Sequence, residues 1–391
     1  MCIERKRLVL LAFVFGFLCQ LAAAQTRCDA KRLFEQANTL IEGRKYSQAA
    51  GTLNELRLCR NISAVERFNM GWLYGRAHDF KTALTVFKAV PDEVPDRQTH
   101  QYAIALSYFE LNDYPAAVDV LTKLKSQSAL DAKCANLLGV AYSKLGAYDK
   151  AYSALEEAIH ADPGNMSGYL NLVTLCADGG DFVKAASVAA GAVRAFPKSS
   201  EALIVAGAAN TLLGRLDSAH DNFSKAVQLA PENADALFFL GLTDYKQGKF
   251  GEAITLLQSA DESGVEDSDL HYLLAECLLR ASPDKPGLAI AALNRAIELN
   301  KNSISARTLR GRLLLDAGQA KNALEDLELA DRLDPGSRSA AYTLARAYRA
   351  VGRDADASAL FEKVRAQATE PLKEMSDRRL NSTLTELGAQ K

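Results

Sequence analysis

The sequence predicts an all-α fold, a solenoid of about ten helical hairpins, and three observations predict it. First, the phrase "GAYDKAYSALEEAIHADP" at 146 to 163 returns 34 residues later as "GDFVKAASVAAGAVRAFP" and 34 after that as "GRLDSAHDNFSKAVQLAP". Second, phrase starts fall at 44, 78, 112, 146, 180, 214, 248, 284, 318 and 352, and five residues into each stands an alanine, from Ala49 to Ala357. Third, glycine and proline punctuate the period, with Gly146, Gly180, Gly214, Gly248, Gly318 and Gly352 opening phrases and Pro95, Pro163, Pro197, Pro231 and Pro335 closing units. A fixed period of this length means a stack of supersecondary units, each too small to bury its own apolar faces.

Residues 1–24 precede the repeat. Arg5, Lys6 and Arg7 stand directly ahead of eleven apolar or glycine residues, Leu8 to Leu18, and then come Ala22, Ala23 and Ala24. A basic flank, a short apolar core and a small-residue site predict a secretory signal peptide cleaved after Ala24. A retained membrane anchor is the competing reading, but the apolar stretch is shorter than the roughly 20 residues a spanning helix needs. The mature chain is therefore expected to be secreted or periplasmic, with no stable membrane insertion after cleavage.

Residues 25–369 are expected to form the hairpins, with units starting near 30, 64, 98, 132, 166, 200, 234, 268, 304 and 338. The first helix of a unit carries a small residue, as at Ala37, Gly71, Ala105, Gly139, Gly207, Gly241, Ala275, Gly311 and Ala345, and an aromatic three later at Tyr74, Tyr108, Tyr142 and Tyr348. A turn follows, where glycine takes the left-handed conformation that ends a helix. In the second helix the alanine is followed four residues on by a large apolar residue, as at Leu53, Phe87 and Phe223, and three further on by Leu56, Val90 or Ala226. Spacings of four and three put these columns on one helix face, and the small residues mark where a neighbouring helix comes closest. Proline then stops the second helix because it cannot donate the next backbone hydrogen bond. Residues 370–391, with Pro371, Leu372, Met375, Leu380, Leu384 and Leu387, are expected to supply a C-terminal capping helix and tail.

This set of residues, small-x2-aromatic, then Ala-x3-Leu/Phe-x2-Ala and a closing proline on a period of 34, resembles the tetratricopeptide repeat family over nearly the whole mature chain. The resemblance implies a right-handed α-solenoid whose first helices line a concave groove for extended peptides or partner helices. The groove positions of that family fall on Phe68, Asn69, Trp72, Tyr102 and Phe109 toward the N-terminus, on Asn136, Asn171 and Tyr245 in the middle, and on Tyr272, Arg280, Arg312, Arg346 and Arg349 further along. Phe68 and Trp72 stand where the family's carboxylate clamp would place other residues, so no such clamp is expected. Three departures from the pattern predict altered local packing: Val173 and Cys176 in the fifth unit, two extra residues beside Pro283 and Pro286 in the eighth, and Arg310 in the ninth, where the family buries leucine.

Cys28 and Cys59 flank the first hairpin at the two ends that an antiparallel pair brings together. A disulfide between them would close a loop and stabilise by roughly 3 to 4 kcal/mol on a chain-entropy argument. Two free thiols near a frayed end is the other reading. Cys134, Cys176 and Cys277 fall on first helices and read as small buried hydrophobes.

No chemistry beyond binding is indicated. With 46 basic against 48 acidic residues the chain has a net charge of −2, which gives no electrostatic footprint for nucleic acid. The five histidines lack metal-ligand spacing, no phosphate loop or nucleophile elbow occurs, and acid pairs such as Glu156 and Glu157 lie on second helices as a solvated face. The sequons at Asn61, Asn165, Asn222 and Asn381 read as chance matches. The expectation is a non-catalytic extracytoplasmic scaffold without cofactor or metal, binding a protein or peptide in its groove. An accessory polysaccharide-binding or export subunit is the alternative.

Overall fold

The computed structural model describes residues 29–59 and 62–365, and among these it forms twenty α-helices joined as ten antiparallel hairpins. Contacts divide the chain into two units between Ala161 and Asp162. The first unit holds four hairpins: α1 (Ala30–Glu42) with α2 (Tyr46–Arg57), α3 (Ala64–Arg76) with α4 (Phe80–Lys88), α5 (Arg97–Glu110) with α6 (Tyr114–Gln127), and α7 (Ala132–Lys144) with α8 (Tyr148–Ala161). The second unit holds six. They are α9 (Met166–Asp178) with α10 (Phe182–Ala195), α11 (Ser200–Leu212) with α12 (Leu216–Leu229), α13 (Ala234–Lys246) with α14 (Phe250–Glu262), α15 (Ser268–Ala281) with α16 (Pro286–Leu299), α17 (Ile304–Asp316) with α18 (Ala320–Leu333), and α19 (Arg338–Ala350) with α20 (Asp354–Val364). Within each unit every helix packs on the next, and several first helices also touch the first helix after them.

Each hairpin is stitched by one contact that the columns anticipate. All ten second-helix alanines are buried at 1% exposure or less, so nothing larger fits there. The small residue of the first helix lies under the large residue sixteen positions on, or eighteen in the eighth hairpin with its longer turn. A Cβ built on Gly71 would sit 2.5 Å from the Phe87 ring, one on Gly139 2.5 Å from Leu155, and one on Gly207 2.6 Å from Phe223. These distances are below any real carbon contact, so glycine is required in those three hairpins.

Every first helix starts on a side-chain cap. Asp29, Ser63, Asp96, Asp131, Asn165, Ser199, Asn233, Asp267, Ser303 and Ser337 each accept a hydrogen bond from a backbone N–H two or three residues on. Such a cap satisfies a donor the helix cannot satisfy itself and contributes about 1 kcal/mol.

In nine of the ten hairpins the turn between the helices takes a left-handed residue at its phrase start. Gly146 (φ 71°) and Gly214 (φ 71°) occupy it without cost, but Arg44 (φ 55°), His78 (φ 61°) and Asn112 (φ 60°) hold the same conformation with a side chain. A left-handed residue that carries a Cβ is strained by about 1 to 2 kcal/mol, and Arg44 and His78 both carry that strain. Arg44→Gly is accordingly expected to raise stability by about 0.5 to 1 kcal/mol, read as a higher denaturation midpoint by circular dichroism; a lower midpoint would count against it.

Neighbouring repeats are linked by the aromatic column. Tyr74 Oη donates to Asn54 Oδ1 (3.3 Å), Lys88 Nζ to Tyr108 Oη (2.5 Å) and Tyr348 Oη to Glu328 Oε1 (3.0 Å), while the Tyr142 and Thr122 hydroxyls lie 3.4 Å apart. Every one of these partners stands twenty residues earlier, on the second helix of the preceding repeat.

The three departures have physical answers. Val173 sits in the small column, and the residue sixteen on is Ala189 rather than leucine or phenylalanine; both are buried. Bulk has moved from one helix to the other at nearly constant total volume. The two extra residues of the eighth unit lie in the turn at 282–285, and Pro286 starts α16 at its first position, where a missing N–H is harmless.

The third departure corrects an expectation of poor packing. Arg310 joins Arg307 around Asp326 of α18, whose side chain is 2% exposed. Arg307 Nη1 donates to Asp326 Oδ1 (2.7 Å), Arg310 Nε to Oδ2 (2.6 Å) and Arg310 Nη2 to Oδ1 (2.7 Å). Arg307 Nε also donates to the Lys301 carbonyl (2.7 Å) and Arg310 Nη1 to Asn294 Oδ1 (2.8 Å). The buried carboxylate thus meets two guanidinium groups that are themselves held, which is what a buried charge requires.

The signal peptide at 1–24, the capping helix at 370–391 and Cys28 of the expected disulfide lie outside the described residues. Cys59 itself is disulfide-bonded, Cys134 and Cys277 are free thiols, and all three of Cys134, Cys176 and Cys277 are buried. Burial pushes the Cys277 thiol up to about 12 and the Cys134 thiol higher still, so both stay protonated and inert at neutral pH.

Candidate binding surface

In the first unit the sequence places aromatic residues along first helices, and the structure sorts them into core and surface. Phe68, expected on the groove, is 3% exposed and packs on Phe87 (5.2 Å between ring centroids) and His100 (6.0 Å). It is part of the hydrophobic core because α3 turns that side toward α4 and α5. Trp72, one turn further, is half-buried, with its ring 5.5 Å from Phe87 and 6.3 Å from Tyr102 at a shallow 32°. Tyr102 is also half-buried, and burial raises its hydroxyl above the usual phenol range, with the nearby Cys134, Asp131 and Glu110 adding to the effect. Trp72 and Tyr102 therefore form one aromatic surface shared by neighbouring repeats.

Beside it Asn69 is exposed, and Phe109 meets Tyr114 edge-on at 5.2 Å. Asn136 is half-buried. Below, His100 anchors the loop between α4 and α5: its Nδ1 lies 3.0 Å from Asp92 Oδ1 and its Nε2 2.9 Å from the Phe87 carbonyl. Burial alone would raise the Asp92 carboxyl, but hydrogen bonds from Arg97, Gln101 and His100 outweigh it and hold the group below its ordinary value. A fixed loop behind the ring pair keeps the aromatic surface rigid.

In the second unit the predicted residues form paired rungs. Tyr272, expected on the groove, is 1% exposed, and its hydroxyl donates to Glu276 Oε1 (3.1 Å); burial raises that phenol well above its usual value. It is core because the first helix turns that side inward. Arg280 is exposed, and its Nε donates to Tyr245 Oη (3.2 Å), an interaction that holds the guanidinium above its ordinary pKa. Arg346 Nη2 donates to Asp316 Oδ1 (2.8 Å), Arg349 stacks 4.6 Å from the centroid of Phe361, and Arg312 is exposed. Asn171 is half-buried on α9. The Arg280 and Arg346 rungs cross from one first helix to the next, while Arg349 is held within its own hairpin, and each contact fixes an arginine that would otherwise be mobile.

Sequence reasoning missed two features here. Tyr114 meets the Phe109 ring from the start of a second helix, a position whose aromatic recurrence at Tyr46, Phe80, Tyr148, Phe182 and Phe250 was available in the repeat. Arg76 Nη1 donates to Asn38 Oδ1 (2.7 Å), another rung between neighbouring first helices.

Ten hairpins on a 34-residue period, stitched small against large and linked by a tyrosine column, define a tetratricopeptide-repeat protein. The family model described as the cilia and flagella-associated protein 70 C-terminal domain matches residues 118–344, more than half the chain, and the chain belongs to that repeat family. A second model, for anaphase-promoting complex, cyclosome, subunit 3, matches residues 76–158. Among curated proteins, BBSome complex member BBS4 of Bos taurus is 26% identical over 49% of this chain and 37% of its own length. The BBS4 homolog of Drosophila melanogaster is 28% identical over 78% of this chain and 58% of its own, and anaphase-promoting complex subunit 3 of Schizosaccharomyces pombe 21% over 79% and 47%. The chain thus spans about half the length of the curated relatives it matches. Among solved structures, yeast Tom70 is 18% identical over 91% of this chain and 96% of that chain, with a TM-score of 0.48. Among the described residues no helix is long and apolar enough to cross a membrane.

Proposed function

We propose that the chain is a non-catalytic, extracytoplasmic scaffold that receives an extended protein segment on its first-helix face, anchored in the first unit by Trp72 and Tyr102. The observation that carries the reading is this ring pair, half-exposed on adjacent repeats and held from behind by Phe68, Phe87 and the His100 loop. Rigid aromatic anchors backed by packed core are the side chains that supply most binding energy at interfaces, each about 2 kcal/mol or more. The fixed arginine rungs of the second unit suit polar contacts to the same class of ligand. Relatives named for the BBSome and the anaphase-promoting complex support an assembly role rather than a catalytic one. The basic and apolar leader and the disulfide at Cys59 support an oxidising compartment.

The test is in-cell photocrosslinking from the exposed Asn69 position, comparing the wild type with a Trp72→Ala, Phe109→Ala variant of unchanged helicity. A protein captured by the wild type and lost by at least about tenfold from the variant is the expected result, since two hot spots together exceed that factor. Equal capture by both would remove the aromatic surface from the binding site. Retention on polysaccharide with no protein captured would overturn the reading in favour of a glycan-binding subunit. N-terminal sequencing that begins at Gln25 would support secretion; an intact Met1 in the mature protein would oppose it.

A further inference from the structure

The seventh repeat, α13 with α14, meets both neighbours through a histidine facing an aspartate. Toward the sixth repeat, His220 of α12 places Nε2 3.2 Å from Asp244 Oδ1 of α13. Toward the eighth, Asp261 of α14 places Oδ1 3.3 Å from His271 Nε2 of α15. Burial is opposite in the two pairs. In the first the carboxylate is inside, Asp244 at 6% side-chain exposure against 31% for His220. In the second the imidazole is inside, His271 at 5% against 51% for Asp261.

Asp244 also stands in the column that carries Tyr74, Tyr108 and Tyr142, where a phenol elsewhere links the repeats. Its Oδ1 is buried with the His220 imidazole beside it but outside hydrogen-bond geometry, and the buried Oε1 of Gln247 one turn on makes no hydrogen bond either. A buried carboxylate oxygen without a well-aligned donor weakens the joint that contains it whenever the group is charged.

We propose that protons decide on which side of the seventh repeat the stack opens first: toward the sixth repeat at neutral pH and toward the eighth in mild acid.

The groups facing each site fix the sign. Around Asp244, burial raises the carboxyl above its model-peptide range, His220 and Lys249 pull it down, and Glu252 pushes it up, with a net rise. Folding then binds protons more tightly than unfolding does, so the joint is strongest below the ordinary carboxylate value and weakens as pH rises through the raised one. Around His271, burial lowers the imidazole, Asp261 and Asp267 raise it, and Arg295, itself bridged to Glu266, lowers it, with a net fall. That joint is strongest above the ordinary histidine value of about 6.5 and weakens as pH falls through it. One repeat thus carries two proton linkages of opposite sign on its two faces.

Hydrogen exchange of the full chain, read by mass spectrometry at about pH 7.5 and about pH 5.5 and corrected for intrinsic rates, tests this. The expected result is that protection across α14 and α15, relative to α12 and α13, falls by more than about twofold in acid. His271→Gln should abolish the fall on the eighth-repeat side. Asp244→Asn should raise protection of α12 and α13 at neutral pH, and Asp244→Tyr, which restores the column residue, should do the same if the amide variant is poorly folded. A ratio that stays within about twofold between the two pH values overturns the proposal. So does a fall that persists in His271→Gln, or lower neutral-pH protection in both Asp244 variants with wild-type helicity.

Discussion

Asp326→Ala is expected to be the most damaging single substitution in the second unit, at about 3 to 5 kcal/mol, because it strands two guanidinium groups around an empty acceptor position. Arg307 is nearly as buried as the carboxylate it loses, with its side chain at 10% exposure, and cannot swing into water without abandoning the Lys301 carbonyl. Asp326→Asn should recover part of the loss by returning one acceptor oxygen. Replacing the whole group by apolar residues, Arg307→Met with Arg310→Leu and Asp326→Leu, should come out near wild type or above it, since the desolvation cost disappears with the charges. Urea titration followed by circular dichroism measures all three. A loss below about 1 kcal/mol for the alanine variant would mean that the cluster is solvated in solution and contributes little.

The second large effect concerns the stitch within a hairpin. Gly207→Val would drive a branched side chain into the Phe223 ring, whose Cε1 lies 2.6 Å from the position of a Cβ, and overpacking of this kind costs about 1 to 3 kcal/mol or more. Phe223→Ala alone leaves a cavity worth about 3 to 5 kcal/mol. The double variant recreates the Val173 and Ala189 arrangement that the fifth repeat already uses, so its cost should fall below the sum by at least about 1 kcal/mol. Additive losses would show that the fifth repeat relies on something other than a volume exchange.

The periodic part of this structure was legible because a solenoid repeats its physics with its residues. The alanine column, the small-against-large pairs and the left-handed turns recur every 34 residues, so ten copies outweigh the noise of any one. The cap column at Asp29, Ser63, Asp96 and their successors was equally periodic and equally readable, yet it was not anticipated, since attention to apolar columns passes over polar residues at helix starts. What a column cannot give is the direction of a large side chain at its edge. Phe68 and Trp72 are four residues apart on one helix, and only the position of α4 and α5 makes the first core and the second surface. Arg310 was misread for a related reason: its partner Asp326 lies on the other helix of the hairpin, and a single guanidinium in an apolar column looks like a fault until the carboxylate is seen. The His220 and Asp244 pair was invisible for the same cause, twenty-four residues apart across a boundary between repeats.

The tyrosine links carry a last consequence, for where such a chain has room to grow. Each link spans the turn from a second helix to the next first helix, always over twenty residues, so extra residues inserted there would pull the hydroxyl off its partner. None of these four tyrosine links crosses the turn inside a hairpin, although Arg307 and Arg310 reach Asp326 across it in the ninth, and the chain's own two-residue insertion lies in such a turn, between Ala281 and Pro286, with Ala275 and Leu293 still buried on either side of it. Loops, tags or whole modules are therefore best accommodated at the turns within hairpins, and the turns between hairpins are the places where length is fixed.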